Sequence, residues 1–450
     1  KIVHCAKIAR CQFLLFFIQI KEIIYMNKKN KFLLFFFTIL LFFNILLFLT
    51  NIWIFDNFGN VKIQEILFTL LSPTSGTDSS VVYSYILRVL LIAVSFTVLS
   101  CFIVLYTRKK SKHFKYIKNI SAIFVVVSLF LSCLYTNSRY DIYGYISQKS
   151  QTTSIYNKSK KTKKKVKKEE YQGDSTIVYQ NPKEINISGS DTNNLIYIYL
   201  ESIENTFLDT AHGGVKAINC MPELTELALN NTSFSNNELL GGAIPFTGTT
   251  WTIASMTSQF TGLPLKVEVA NDMDQQNRFM PGAKTIGDIL NENGYIQELM
   301  IGSQKEFAGT DKLFLQHGFD KICDINSLKQ EYSFKSNELN QWGLDDYKLF
   351  ELAKNEITQL AQTGKFNFTM ATIDCHMPKG FLCKYCPNTY ENRYENIYAC
   401  QSKLINSFID WCKSQSWYEN TTIVLVGDHP TMAQKYVNDV PSTYQRTTYN

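Results

Sequence analysis

Three apolar runs in the second half of the chain end on side chains able to hold a metal ion or move a proton. Leu195–Leu200 (LIYIYL) runs into Glu201, Phe366–Ile373 runs into Asp374 and His376, and Thr422–Val426 runs into Gly427, Asp428 and His429. Short runs rich in β-branched and aromatic residues read as buried strands. In open α/β sheets, ligands gather at the carboxyl ends of such strands. A single carboxylate after a strand is usually a cap or a surface group. Three such ends, one an adjacent Asp-His pair, point to one shared site. Carboxylate oxygens and imidazole suit Mn2+, Zn2+ or Mg2+, and no soft thiolate set competes for that role.

A fourth stretch, Thr247-Gly-Thr-Thr-Trp-Thr-Ile-Ala254, places a hydroxyl-rich turn ahead of a helical pattern over Thr252–Phe260. A helix start offers unpaired N–H groups and positive potential, which suits a phosphate. A threonine hydroxyl is a weak nucleophile at its free pKa, and metal coordination lowers that pKa and aims the oxygen. Taken alone, such a helix start is only an N-cap.

These residues need a scaffold. Met221–Asn230, Ala283–Asn293 closed by Gly294, a segment within Trp342–Thr363, and Tyr390–Gln415 read as helices, with a further strand at Ile296–Ile301. Strands alternating with helices predict an α/β domain around a mostly parallel central sheet. Thr422–Val426 reads as a short, fully buried strand. The domain is expected over 192–450 and is expected to be incomplete at Asn450. A polar linker, 137–191, leads into it, with a short amphipathic element around Tyr140–Ile146.

Ahead of the linker, 26–136 reads as a membrane anchor. Phe32–Phe55, Val89–Tyr106 with its Tyr83–Leu87 flank, and Ile120–Tyr135 approach the roughly 20 apolar residues that a crossing helix needs. Arg88 is then expected near the membrane interface. The basic segment Met26–Lys31 and the run Arg108–Lys118 mark the cytoplasmic side, which puts everything after Tyr135 outside. Lys158–Lys168 reads as a solvated linker able to touch anionic headgroups. The chain opens on Lys, and residues 1–25 are expected to be a non-native or upstream segment.

The chain has 450 residues with a net charge of +6. The excess lies in lysine runs rather than on an aromatic-studded basic face, which argues against nucleic acid. Of 11 cysteines, Cys220, Cys323, Cys375, Cys383, Cys386, Cys400 and Cys412 fall on the outer side, where disulfides are plausible. Cys383-Lys-Tyr-Cys386 could be half a zinc site. With no second Cys-x-x-Cys or His pair following it, local disulfide pairing or simple packing is the expectation.

Tyr197-Ile-Tyr-Leu-Glu-Ser-Ile-Glu204, Gly248-Thr-Thr-Trp-Thr-Ile-Ala254, His317-Gly-Phe-Asp320, Thr372-Ile-Asp-Cys-His-Met-Pro-Lys-Gly380 and Gly427-Asp-His429 resemble, in this order, the lipoteichoic acid synthases and phosphoglycerol transferases. These are sulfatase-like members of the alkaline-phosphatase superfamily. The wording is closest to the phosphoglycerol transferases of periplasmic glucans. The resemblance implies that Glu201, Thr249, Asp428 and His429 hold one divalent metal, Mn2+ in the first instance. It assigns the nucleophile to Thr249 by its offset of fifteen residues from Pro264, with Thr250 adjacent. It implies His376 as proton carrier beside the phosphoglycerol group. Thr250, Trp251, Gly302, Ser303, Lys305 and Asp374 are expected to contact substrate. The polymerase's His, Trp and Arg are replaced here by Ile301, Ala308 and Thr310.

The implied reaction moves phosphoglycerol from phosphatidylglycerol, through a threonine-bound intermediate, to a glycan or glycolipid acceptor at the outer face of a bacterial cytoplasmic membrane. The rivals are a phosphoethanolamine transferase of the same superfamily, a sulfatase or phosphodiesterase-type hydrolase, and a non-catalytic envelope scaffold. A sulfatase proper needs Cys-x-Pro-x-Arg, and Cys220-Met-Pro-Glu-Leu224 lacks the Arg.

Overall fold

The computed structural model describes residues 28–59, 61–71, 79–110, 114–147, 193–235, 237–265 and 279–450. Residues 1–25, the run Lys158–Lys168 and most of the 137–191 linker lie outside these. The chain forms two compact units, one of residues 1–56 and 79–145, the other of residues 57–78 and 146–450.

In the first unit, three helical stretches are long and apolar enough to cross a membrane: Leu34–Phe58, Ser79–Val104 and Ile120–Tyr140. Their outer faces expose Phe35, Phe43, Phe96, Phe124 and Phe130, while Asn44 and Asn51 are buried. Asn51 Nδ2 donates to Thr136 Oγ1 (2.9 Å), and Ser132 Oγ donates to Asn44 Oδ1 (3.0 Å). Apolar outside and polar inside is the arrangement expected in lipid, where interhelical hydrogen bonds replace the missing hydrophobic drive. Arg88 falls within a π-helical turn, Ile86–Leu90, inside the second stretch. Residues 142–147, within the expected amphipathic element, are helical.

The second unit is built on a five-stranded, all-parallel sheet: β1 (Asn194–Leu200), β2 (Ile296–Ile301), β3 (Lys321–Cys323), β4 (Phe366–Ala371) and β5 (Thr421–Gly427), in the order β3-β2-β4-β1-β5. Successive strand residues point to opposite faces, and β1 shows it. Ile196, Ile198 and Leu200 join a core with Leu349, Phe350, Tyr394, Tyr398 and Phe408, whereas Tyr199 joins a second core with Ile253, Met256, Phe260 and Phe314. The result is a three-layer α/β/α domain.

Seven helices matter to the site: α1 (Ile63–Leu71), α2 (Pro222–Asn230), α3 (Thr252–Thr261), α4 (Ile286–Glu292), α5 (Ile325–Glu331), α6 (Asp346–Leu360) and α7 (Arg393–Lys413). Thr285 and Asp288 form a capping box at the start of α4. Strand β3 and helix α5 were not legible in the sequence, being three and seven residues long. The expected full burial of Thr422–Val426 is corrected. As an edge strand paired on one side, β5 keeps most of its residues partly exposed.

Strands β1 and β5 run in register, with Leu200 opposite Gly427. Gly427 N–H donates to Tyr449 O (2.7 Å), and a Cβ on Gly427 would lie 2.0 Å from Ile203 O. Gly427→Ala is therefore expected to destabilise the domain by at least about 2 kcal/mol, read as a lowered denaturation midpoint. An unchanged midpoint would mean that this backbone crossing is slack.

Candidate metal centre

The register of β1 and β5 sets Glu201 beside Asp428 and His429. All three are almost fully buried. His429 Nε2 lies 3.4 Å from Asp428 Oδ2 and 3.7 Å from Glu201 Oε1. Backbone groups fix each ligand. Glu201 N–H donates to Thr372 Oγ1 (2.8 Å), on the segment following β4. Asp428 Oδ1 accepts from Ser202 N–H and His429 N–H, both at 2.7 Å. Ser202 takes a left-handed φ of +57° to turn the chain there, a conformation that non-glycine residues adopt rarely and at some cost. His429 Nδ1–H donates to Pro430 O (3.0 Å). That tautomer leaves the Nε2 lone pair facing the carboxylates, as a metal-ligating histidine requires.

The donor set fits a divalent cation on two observations. Asp428 Oδ2 is buried without a hydrogen-bond partner. Burial, and then the Glu201 carboxylate, push the Asp428 pKa up from 3.8 to about 7. Holding that carboxylate charged without a counter-ion would cost roughly 4 kcal/mol. Burial alone would depress the His429 imidazole, but Asp428 and Glu201 together outweigh it and raise its pKa.

The threonine assignment is corrected by the geometry. Thr249 Oγ1 donates to Phe246 O (2.9 Å) and accepts from Phe246 N–H (3.0 Å), so its hydroxyl closes its own turn. The hydroxyl beside the ligands belongs to Thr252, the first residue of α3. It donates to Glu201 Oε2 (3.1 Å) and lies 3.3 Å from His429 Nε2. Trp251, the N-cap residue, provides no side-chain cap, which leaves the first-turn N–H groups available to an anion.

Thr250 reveals a residue that the sequence reading missed. Its hydroxyl donates to Glu65 Oε1 (2.6 Å) on α1, within the same compact unit. Burial pushes Glu65 up to about 7. Phe68 of α1 packs its ring 5.8 Å from that of Trp251. The only signal in the sequence was an acid within the apolar segment Ile63–Leu71, IQEILFTLL.

His376 lines a cavity of about 300 Å3, together with Asn340, Trp342, Lys379 and Arg393 among others. The His376 and Trp342 rings are 4.1 Å apart, and His376 Nδ1–H donates to Met377 O (3.0 Å). Asp374, an expected substrate contact, borders this cavity. The carboxylate is buried among donors from Asn340 Nδ2 (3.1 Å), Asp346 N–H (3.3 Å) and Gln401 Nε2 (3.4 Å), and burial, then Asp346, raises its pKa well above the usual range. Gly302, Ser303 and Lys305 follow β2. Gly302 O accepts from Leu344 N–H (2.9 Å), Ser303 O from Ile325 N–H (3.1 Å), and Lys305 N–H donates to Asp324 Oδ2 (3.2 Å). Those bonds tie the segment to the start of α5 and to the turn before α6 rather than to the three ligands.

A family profile described as sulfatase matches residues 193–448. A phosphoglycerol transferase I from Citrobacter koseri is 32% identical over 256 residues, 54% of this chain and 32% of that protein. One from Escherichia fergusonii is 30% identical over the same length and shares. The chain thus matches about a third of the length of these curated relatives. Among solved structures, a lipoteichoic acid synthase from Listeria monocytogenes aligns with a TM-score of 0.44 at 19% identity, over 58% of this chain and 65% of that one. A lipooligosaccharide phosphoethanolamine transferase A from Neisseria meningitidis aligns with a TM-score of 0.48 at 13% identity, over 96% of this chain and 84% of that one.

A carboxyl whose folded pKa stands above its unfolded value holds its proton more tightly when folded. Without metal, Asp428 therefore costs stability as pH rises from about 4 to about 7. A bound divalent cation removes that cost and favours the deprotonated ligands. The gain in melting temperature on adding Mn2+ is expected to be larger at about pH 8 than at about pH 5. Equal gains at both would contradict ligation by this cluster.

Proposed function

The chain belongs to the sulfatase family, and from that premise we propose that it is a membrane-anchored transferase moving a phosphoglycerol group from phosphatidylglycerol to a glycan or glycolipid acceptor. The observation that carries this reading is the Thr252 hydroxyl, 3.1 Å from Glu201 Oε2 and 3.3 Å from His429 Nε2 at the opening of α3. Glu201, Asp428 and His429 are the residues that would hold a divalent cation. Mn2+, or else Zn2+ or Mg2+, would supply there a Lewis acid that favours the alkoxide and offsets phosphate charge.

The chain's own groups account for the rest. Thr252 Oγ1 attacks the phosphorus of the donor lipid. The bond from phosphorus to the diacylglycerol oxygen breaks, and that oxygen takes up the proton given up by the Thr252 hydroxyl and leaves as diacylglycerol. The N–H groups of the first turn of α3 hold the phosphate oxygens. Phosphoglycerol is then carried on Thr252 as a diester. An acceptor hydroxyl attacks the same phosphorus, its proton passes by way of His376 to the departing Thr252 oxygen, and the threonine hydroxyl is restored. Glu65 fixes Thr250, and through Phe68 and Trp251 helix α1 steadies the turn that presents Thr252. Trp342, Lys379 and Arg393 give the neighbouring cavity an aromatic face and positive charge, a combination suited to an anionic glycan or a glycerophosphate group. The Lys and Arg distribution supports a multi-pass protein with this domain on the outer face of the membrane.

With labelled phosphatidylglycerol and Mn2+, fragmentation of the 247–254 peptide is expected to place phosphoglycerol on Thr252. Thr252→Ala should lower turnover about a thousandfold or more, and Thr249→Ala by less than about tenfold. The reverse ranking would restore Thr249 as nucleophile. Transfer from phosphatidylethanolamine alone would replace the donor assignment.

A further inference from the structure

Cys383 and Cys386 lie in the irregular segment between β4 and α7, and Cys400 lies on α7. The structure brings the three sulfurs together. Cys383 Sγ is 3.6 Å from Cys400 Sγ and 3.7 Å from Cys386 Sγ, and all three lie within 4.8 Å of one another. Cys383 and Cys400 are buried and Cys386 is half-buried. The nine cysteines among the described residues are all free thiols, so of the expected alternatives, local disulfide pairing or simple packing, the structure presents no disulfide.

We propose that Cys383, Cys386 and Cys400 form a structural site for a thiophilic divalent cation, zinc by its chemistry. Tetrahedral coordination with a metal–sulfur distance of about 2.3 Å sets neighbouring sulfurs about 3.8 Å apart. The two close pairs here come within a few tenths of an ångström of that edge. A Cys-x-x-Cys turn supplies two ligands and the helix a third, a division that fixes direction as well as distance. Tyr385 N–H donates to Cys383 Sγ (3.4 Å), and Cys386 N–H to Cys383 O (3.1 Å). The first of these aims a backbone dipole at the sulfur, which favours a thiolate.

A trithiolate leaves one tetrahedral position. Asp345 is completely buried, and neither carboxylate oxygen has a hydrogen-bond partner. It lies within the electrostatic reach of Cys383. A cation at the sulfurs would offset that uncompensated carboxylate, and each thiol that binds would release its proton to solvent. The other buried thiol–carboxylate grouping, Glu298, Cys323 and Glu356, makes no comparable demand. Lys321 Nζ already sits 2.7 Å from Glu356 Oε2 and 3.7 Å from Glu298 Oε2.

The site's position gives it a task. Phe381, which lines the His376 cavity, packs on the cluster of Tyr347, Cys383 and Cys400. A cation there would pin the segment that carries His376, Lys379 and Phe381 to α7. It is separate from the Glu201 centre in ligands and in chemistry, since soft thiolates select zinc where the carboxylate set favours harder cations.

The test uses the full chain in a membrane mimetic, reduced and stripped of metal by a chelator, then titrated with Co2+. The expected result is a thiolate-to-cobalt charge-transfer band that zinc abolishes. The carboxylate centre cannot produce this band, because it contains no sulfur. Cys386→Ser and Cys400→Ser should each weaken cobalt binding beyond the tenfold or so that loss of an outer partner costs. The wild-type spectrum decides the matter even if a variant fails to fold. Absence of the band in the freshly reduced chain would overturn the proposal. So would protein taken from native membranes that carries a disulfide between any two of these cysteines and no zinc.

Discussion

Two carboxylates and an imidazole, all withdrawn from water, meet where two neighbouring parallel strands end. Like charges in such a place repel, and each has lost its hydration. Two other buried acids of this chain come with cations of its own. Glu204 is fully buried and paired with Arg446, whose Nε donates to it at 2.8 Å. Glu356 has Lys321. No lysine or arginine among the described residues forms an ion pair with Glu201 or Asp428. The surrounding structure holds the three side chains in position. Thr372, the left-handed Ser202, the β1–β5 register and the close passage at Gly427 all serve that end.

The threonines of one short segment show how the same functional group is given different work by geometry. Thr249 closes a turn, Thr250 reaches an acid on α1, and Thr252 opens a helix against the ligands. The helix start explains the difference. The hydroxyl at the first helical position shares that end with the unpaired N–H groups, where negative charge is most stabilised. The two hydroxyls before it belong to the approach, and they fix its path.

Helix α1 is joined in sequence to the apolar helices and in space to the sheet domain. Its Glu65 and Phe68 reach the turn that presents Thr252. The short connection between two apolar stretches therefore reaches the Thr252 turn as well as linking those stretches. On the other side, the His376 segment has no regular secondary structure of its own. It draws order from Asp346, whose carboxylate accepts from Ile373 N–H and Asp374 N–H at 2.8 Å each, from Trp342, and from the sulfurs against α7.

The sequence by itself determined what local periodicity and capping control. Apolar runs located four of the five strands, Gly294 marked the close of α4, and the three apolar stretches marked the candidate spans. Glu201, Asp428 and His429 were legible because each follows directly on a strand, and a parallel sheet brings strand ends to one edge. Tertiary structure alone decided which threonine faces the ligands, that Glu65 and Trp342 join functional side chains, and that Cys400 completes a set begun by Cys383 and Cys386. It also set the Asp374 carboxylate among protein donors and tied the Gly302 carbonyl to Leu344. The physical reason is common to all of these. Where a strand lies depends on residues within a few positions of one another. Where a hydroxyl, a ring or a thiol points depends on neighbours up to about two hundred residues away, such as Glu65 for Thr250, and spacing along the chain does not encode them.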